Sequence, residues 1–190
     1  MQAARHEEPL LATSGARCLR SMEQLNSHDL ANTSWAFASL PVPHTPLIAA
    51  IASASMMLRC WEFTPQGIAR TAWAFARVVF LDAPLMDSIA ASAMSNIVAI
   101  PPMYLASLAW AFAKVSLQNQ PFIDALAGES ILKIRQFNHQ NLANTVWSIA
   151  TLNYSITTKM APIVSEVIDK IEEFSCQGLS NTAWAFSKME

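Results

Sequence analysis

Polar side chains recur every 37 or 38 residues along the chain, and their types suit an anionic or polynucleotide ligand. One series comprises His28, Gln66, Met103, Gln140 and Gln177. The second comprises Asn32, Arg70, Ser107, Asn144 and Asn181, and the third comprises Ser39, Arg77, Lys114, Thr151 and Lys188. Amides and hydroxyls can hydrogen-bond the edges of bases, whereas Arg and Lys can bind phosphates. We therefore predict base contacts along the three series and phosphate contacts at Arg70, Arg77, Lys114 and Lys188.

The distribution of charge favours the same interpretation, although the formal net charge of the chain is only −2. The three series lie within residues 26–40, 64–78, 101–115, 138–152 and 175–189. These segments carry four basic residues and a single acidic one, Asp29, whereas the rest of the chain has eight basic and thirteen acidic residues. A basic, amide-rich layer in an acidic chain favours an anionic ligand. A solvated helix face is the alternative.

Five tryptophans share the same interval, namely Trp35, Trp73, Trp110, Trp147 and Trp184. Each lies in a near copy of one segment, as in LANTSWAFASL at 30–40 and LSNTAWAFSKM at 179–189. Self-similarity at this period predicts stacked helical units that contact mainly their neighbours. On a helical wheel Trp35 falls at the edge of the apolar side, with Asn32 and Ser39 opposite. We therefore expect the tryptophans to pack between repeats rather than to stack on bases.

Each repeat is predicted to be a pair of helices, of which the second carries the tryptophan. Cap residues precede four of these second helices, namely Asn26, Thr64, Asn138 and Ser175, and Pro101 takes this place in the third. The first helices are expected to begin at prolines, namely Pro9, Pro46, Pro84 and Pro121, and the fifth begins late, near Pro162. The predicted repeats are 9–45, 46–83, 84–120, 121–157 and 158–190, after an N-terminal overhang at 1–8. The fold class is therefore an all-α, right-handed α-solenoid, an armadillo- or HEAT-like superhelix.

The repeated segment, best seen in FNHQNLANTVWSIATL at 137–152, resembles the octotricopeptide repeat of organellar RNA-binding proteins. It is also similar to the leucine-rich region of FAST-kinase-like proteins and to the helical repeats of the RNA-editing substrate-binding complex. The resemblance covers residues 9–190. It implies binding of single-stranded organellar RNA, in the mitochondrion or the chloroplast, with a role in RNA processing, stability or translation. It also implies a readout of about one nucleotide per repeat.

Residues for catalysis, metal binding or cofactor binding do not form a recognisable pattern. His28, His44 and His139 share no spacing with carboxylates or cysteines that suggests a metal or a catalytic base. The four glycines form no phosphate-binding loop, and the three cysteines have no pairing pattern. We predict no enzyme activity, no cofactor and no small-molecule substrate. Residues 88–113 carry no charge, but Pro101 and Pro102 and the repeat register argue against a membrane span.

Two functions follow from the sequence. The first is a single-stranded RNA-binding solenoid that acts alone or with other repeat or ribonucleoprotein subunits. The second is a protein scaffold whose groove holds a partner helix or peptide, as stacks of this kind do. Two roles are possible for Asn32, Asn144 and Asn181: they contact the ligand, or their side chains hydrogen-bond between neighbouring helices. Targeting is not readable, since residues 1–8 lack the pattern of a signal peptide.

Overall fold

The computed structural model describes residues 13–40, 45–57, 63–154 and 161–189, and every regular element within them is helical. The first helices of the pairs are α1 at 13–20, α3 at Thr45–Met57, α5 at Ala83–Ser95, α7 at Gln120–Leu132 and α9 at Ala161–Asp169. The second helices, called Trp helices below, are α2 at Ser27–Ala38, α4 at Pro65–Arg77, α6 at Pro102–Lys114, α8 at His139–Thr151 and α10 at Cys176–Met189. The predicted all-α class is thereby confirmed.

The starts of the Trp helices follow from their cap residues, as predicted. The side chains of Asn26, Thr64 and Asn138 each accept a hydrogen bond from the backbone N–H three residues later. Ser175 accepts from the N–H of Gly178 at 3.1 Å in the same way. Each bond satisfies one backbone donor that the first turn leaves unpaired. Pro101 makes no such bond.

The prolines of the first helices lie in the first turn, within one residue of the predicted starts. Pro46 is the second residue of α3, Pro84 of α5 and Pro121 of α7, where a missing N–H costs nothing. Asp82 and Asn119 cap α5 and α7, which the sequence reading did not include. Pro9 lies outside the described residues, and so do residues 155–160, which precede α9.

The helices pack in two layers. Each Trp helix contacts the next one along the chain, so α2, α4, α6, α8 and α10 form one continuous layer. In the other layer α3 packs on α5 and α5 packs on α7. Alanines at the contacts, such as Ala69, Ala72, Ala106 and Ala109, are buried and allow the Trp helices to approach closely. This arrangement is consistent with a stack of repeats.

The core between the layers is built on the residue two positions after four of the five tryptophans, namely Phe37, Phe75, Phe112 and Ile149, rather than on the tryptophans themselves. Phe75 and Phe112 are fully buried, and the rings of Phe112 and Phe122 lie 4.6 Å apart between centroids. In contrast, Trp35 and Trp184 are each 46% exposed, and Trp110 is only partly buried against the core. Trp35 and Trp184 are therefore not core residues, whereas the predicted packing between repeats is seen for Trp73 and Trp110, whose ring centroids lie 6.3 Å apart.

Three Trp helices, α4, α6 and α8, are followed by a residue with a positive φ, which the sequence did not predict. Val79, Ser116 and Asn153 have φ values of 54°, 53° and 50°, at a spacing of 37 residues. The N–H of the residue after each then bonds a carbonyl five residues back, as between Phe80 and Phe75 at 3.0 Å. This left-handed turn satisfies carbonyls that the helix end leaves free. It reverses the chain toward the next first helix.

Two lysines that directly follow first helices form hydrogen bonds to the preceding repeat. Lys133 Nζ donates to the carbonyls of Val98 and Ile100, and it pairs with Glu129 at 3.2 Å. Lys170, which lies 37 residues later, donates to the carbonyls of Arg135 and Phe137 and pairs with Glu166 at 2.7 Å. The carbonyls belong to short 3-10 turns at Ile97–Ala99 and Ile134–Gln136 and to the residues that follow these turns. These lysines are therefore engaged within the protein. Among the described residues, no helix combines the length and the apolar character that crossing a membrane requires.

Candidate functional site

The three polar series and the tryptophans share one surface of the Trp-helix layer, called the polar face below. Its members are His28, Asn32, Trp35 and Ser39 in α2 and at its end, with their equivalents in the other Trp helices. All fifteen residues of the three series are at least partly exposed. The helical wheel set Trp35 at the edge of the apolar side, but its half-exposed indole belongs to the polar face. Because α-helical positions i, i+4, i+7 and i+11 share one side, this follows from the spacing of the residues.

A first groove runs between α2, α4 and α6 and has a volume of about 290 Å³. Trp35, Trp73 and Tyr104 give it aromatic walls, while Gln66 and Arg70 supply amide and guanidinium groups. Met103 and Ser107 line its third side. The predicted residues Gln66, Arg70 and Ser107 are therefore brought together, although they belong to neighbouring repeats.

A second groove of about 340 Å³ lies between α8 and α10, and its chemistry is different. Four predicted amides line it, namely Gln140, Asn144, Gln177 and Asn181. His139 stands at the same groove, with its Nδ1 3.8 Å from Glu173 Oε2. No spacing in the sequence pairs His139 with Glu173, because the two residues are 34 positions apart. This groove offers hydrogen-bond donors and acceptors rather than aromatic surfaces.

Among the described residues, the four basic residues of the polar face have no acidic partner. Within the described part of the chain, no carboxylate lies within 4.0 Å of Arg70, Arg77, Lys114 or Lys188. The lysines of the other layer, Lys133 and Lys170, are both paired. The positive charge of the polar face is thus not neutralised locally, and it attracts anions over about the Debye length of ~8–10 Å.

Each arginine of the polar face also makes contacts within the protein. Arg70 Nη1 donates to Asn32 Oδ1 at 2.6 Å, and its guanidinium carbon lies 5.8 Å from the centre of the Trp35 ring. Arg77 Nε donates to the carbonyl of Ala38 at 2.8 Å, and its guanidinium lies 5.3 Å from the Trp73 ring. A guanidinium has five N–H donors, so one such bond leaves others for a phosphate.

The lysines of the polar face stand at helix ends. Lys114 and Lys188 lie in the last turns of α6 and α10, where a positive charge interacts favourably with the helix dipole. Lys188 Nζ also lies 5.3 Å from the Trp184 ring. A solubilising or capping role is therefore the alternative to ligand binding at these positions.

The remaining predicted residues differ in whether their side chains already bond other groups of the protein or line a groove. Asn32 bonds Arg70 of the next Trp helix, and its amide nitrogen lies 2.8 Å from His28 Nε2, so here the interhelical role of asparagine holds. The hydroxyls of Ser39 and Ser107 donate to carbonyls four residues earlier and keep only acceptor capacity. The hydroxyl oxygen of Thr151 is enclosed and has no hydrogen-bond partner. Asn144 and Asn181, in contrast, line the second groove.

No group of three or more His, Cys, Asp or Glu residues able to hold a metal occurs in the described ranges.

One strongly shifted pKa belongs to Tyr154, where burial and a hydrogen bond to Asp124 raise the phenol pKa to about 12. Cys18 and Cys176 are free thiols, while Cys60 and His44 lie outside the described residues.

Comparison with known proteins places the chain in a family. A sequence model of the RNA-editing substrate-binding complex 6 protein matches residues 3–190, which is almost the whole chain. The chain therefore belongs to the family of RNA-editing substrate-binding complex 6 proteins. A search among curated proteins found no match.

Proposed function

We propose that this member of the RNA-editing substrate-binding complex 6 family binds single-stranded RNA along its polar face and acts as a subunit of an RNA-editing complex. The observation that carries the proposal is the set of four basic residues without carboxylate partners, on the same surface as the amide and aromatic groups. Phosphates would bind Arg70, Arg77, Lys114 and Lys188. The chain would act by binding rather than by catalysis, without a cofactor.

The shape of the polar face favours unpaired over paired RNA. Both grooves lie between neighbouring helices and have volumes of about 290 and 340 Å³, which suit single bases or nucleotides rather than a duplex. The amides of Gln140, Asn144, Gln177 and Asn181 could bond the Watson–Crick edge of a base only when that edge is free. A duplex would present its phosphates but keep these edges paired.

Several finer features belong to the same proposal. The helix pairs would continue as a right-handed solenoid, as expected for stacked repeats of this length. With about one nucleotide per repeat, the described repeats would contact about five bases. The family name and the resemblance to organellar repeat proteins support a location in an organelle and a role in RNA processing. A relationship to octotricopeptide or FAST-kinase-like proteins stays a prediction.

A second function, protein scaffolding, is favoured by exposed apolar side chains away from the polar series. Val98 is 72%, Leu132 80% and Ile168 61% exposed, at or next to the ends of the first-layer helices α5, α7 and α9. Exposed apolar residues of this size suit contact with other proteins. Both functions can therefore coexist in one complex subunit, with RNA on one layer and protein on the other.

The proposal is tested by fluorescence anisotropy with a random single-stranded RNA pool and with a duplex of equal length. We expect micromolar or tighter binding of the single strands and weaker binding of the duplex. Arg77→Glu combined with Lys114→Glu should abolish binding. Because Arg77 also bonds the Ala38 carbonyl, Lys114→Glu alone is measured as well, and circular dichroism verifies the fold of each variant.

A matched control changes the same number of charges elsewhere. Arg17→Glu with Arg135→Glu alters two exposed basic residues outside the polar face and should leave binding nearly unchanged. Equal losses in both double variants would show that net charge alone governs binding, and this would remove the polar face as the site. No binding by a well-folded wild-type chain would reject the RNA-binding function and leave the scaffold.

A further inference from the structure

The groove between α2, α4 and α6 has a composition that the three polar series alone do not explain. We propose that it is a stacking site for one unpaired nucleobase, with the neighbouring phosphate held by Arg70. This inference rests on the proposed function and assigns a specific role to the tryptophans. It adds a ligand contact to the packing between repeats that the sequence predicts for the tryptophans.

The aromatic surfaces of the groove are accessible and held in place. Trp35 is 46% exposed, and Trp73 is only partly buried. The rings of Trp73 and Trp110 lie 6.3 Å apart between centroids with planes inclined by 30°, which fixes the orientation of Trp73. An indole that is already ordered loses little conformational entropy when a base stacks on it. Aromatic stacking tolerates any base, since each base has a flat π surface.

The polar groups of the groove match a nucleotide. Arg70 has no carboxylate within 4.0 Å among the described residues, and its single bond to Asn32 leaves donors free at the rim. Gln66 supplies both a donor and an acceptor for the edge of a base. Ser107 donates to the Met103 carbonyl, so its oxygen can only accept. A cation beside aromatic walls favours a base with its phosphate over an apolar peptide, which would leave Arg70 without an anion.

The two grooves then have separate tasks. The groove between α2, α4 and α6 would hold a base by its face, whereas the amides between α8 and α10 would bind a base by its edge. Met103 replaces the His or Gln found at this position in the other repeats, and in a stacking site a thioether beside aromatic rings is favourable. The apolar Met103 in an otherwise polar series is thereby explained as part of the site.

The test compares two single strands of equal length and phosphate number, one intact and one with abasic positions in place of its bases. Their affinities are measured by fluorescence anisotropy at one salt concentration. We expect the abasic strand to bind about 5- to 100-fold more weakly, from the usual contribution of stacking to binding. Trp35→Leu should weaken binding of the intact strand several-fold and reduce the difference between the two strands.

Trp184→Leu is the matched control, because Trp184 is also 46% exposed and also has a cation over its ring but does not line the groove. It should keep the preference for the intact strand. Equal affinities for intact and abasic strands would overturn the stacking site while leaving RNA binding through phosphates in place. A preference that survives both Trp35→Leu and Trp73→Leu would place the base elsewhere. No binding of either strand would reject the proposed function as well.

Discussion

The salt dependence of RNA binding gives a quantitative test of the polar face, and Lys114→Gln is the most informative change. Lys114 is exposed and has no hydrogen bond or ion pair with any described residue. Its replacement therefore removes the proposed phosphate contact, and within the described residues it costs the fold only the weak interaction with the helix dipole. Arg77, in contrast, also holds the Ala38 carbonyl at 2.8 Å.

The expected magnitude follows from counterion release. Each phosphate neutralised on a single strand contributes about −0.7 to the slope of log affinity against log salt concentration. Four basic residues predict a slope of about −2.8, so affinity should fall about 50-fold between 50 and 200 mM salt. With Lys114→Gln the slope should become about −2.1, and the same change in salt should cost only about 20-fold.

The assay is fluorescence anisotropy of a labelled single strand at four or more salt concentrations, with Arg135→Gln as the control. Arg135 is exposed and lies in a 3-10 turn outside the polar series. A slope that Lys114→Gln leaves unchanged would remove Lys114 from the site. An equal change with Arg135→Gln would mean that charge acts on RNA only through the net charge of the protein, and either result would refute the reasoning.

The other predictions concern stability. Phe112→Ala should cost about 3–5 kcal/mol in urea denaturation, because Phe112 is fully buried, whereas Trp110→Ala should cost clearly less; equal costs would contradict the core described above. Val79→Asn should raise the melting temperature by about 2–4 °C, because Val79 has a φ of 54° and Asn adopts a positive φ at lower cost than Val. Asn153→Val should lower the melting temperature by a similar amount, and unchanged melting temperatures would exclude backbone strain at Val79. Tyr154 should stabilise the fold fully below pH 10 and lose this contribution toward pH 12, because its pKa is raised in the folded state; a Tyr154→Phe variant whose stability falls equally over this range would argue against it.

The sequence predicted the local features of the fold well because their physical causes are local. A cap side chain bonds an N–H three residues away, so Asn26, Thr64 and Asn138 could be identified from their own segments. A proline in the first turn marks a helix start for the same reason. The period of 37 or 38 residues then placed equivalent residues in register. Pairing of neighbouring Trp helices followed from that period alone.

Features that depend on the distance between stacked helices could not be predicted. The exposure of Trp35 depends on how closely α4 approaches α2, and the bond between Arg70 and Asn32 depends on the register of the two helices. The attachment of Lys133 to the carbonyls of Val98 and Ile100 crosses from one repeat to the next. No pattern within a single segment signals such contacts. The positive φ of Val79 was equally hidden, because a β-branched residue is an unusual choice there.

The location of the grooves bears on how an RNA sequence could be read. A strict code of one base per repeat requires each contact set to lie on one repeat. Here, however, the first groove takes Trp35 from α2, Gln66 and Arg70 from α4, and Met103 from α6. The second groove likewise joins α8 to α10. A base held in either groove is contacted by adjacent repeats together, so its specificity cannot be changed within a single repeat. Met103→Gln in α6 should therefore change the binding of a base that α2 and α4 also contact. A new base preference should require a second change at Gln66 in α4.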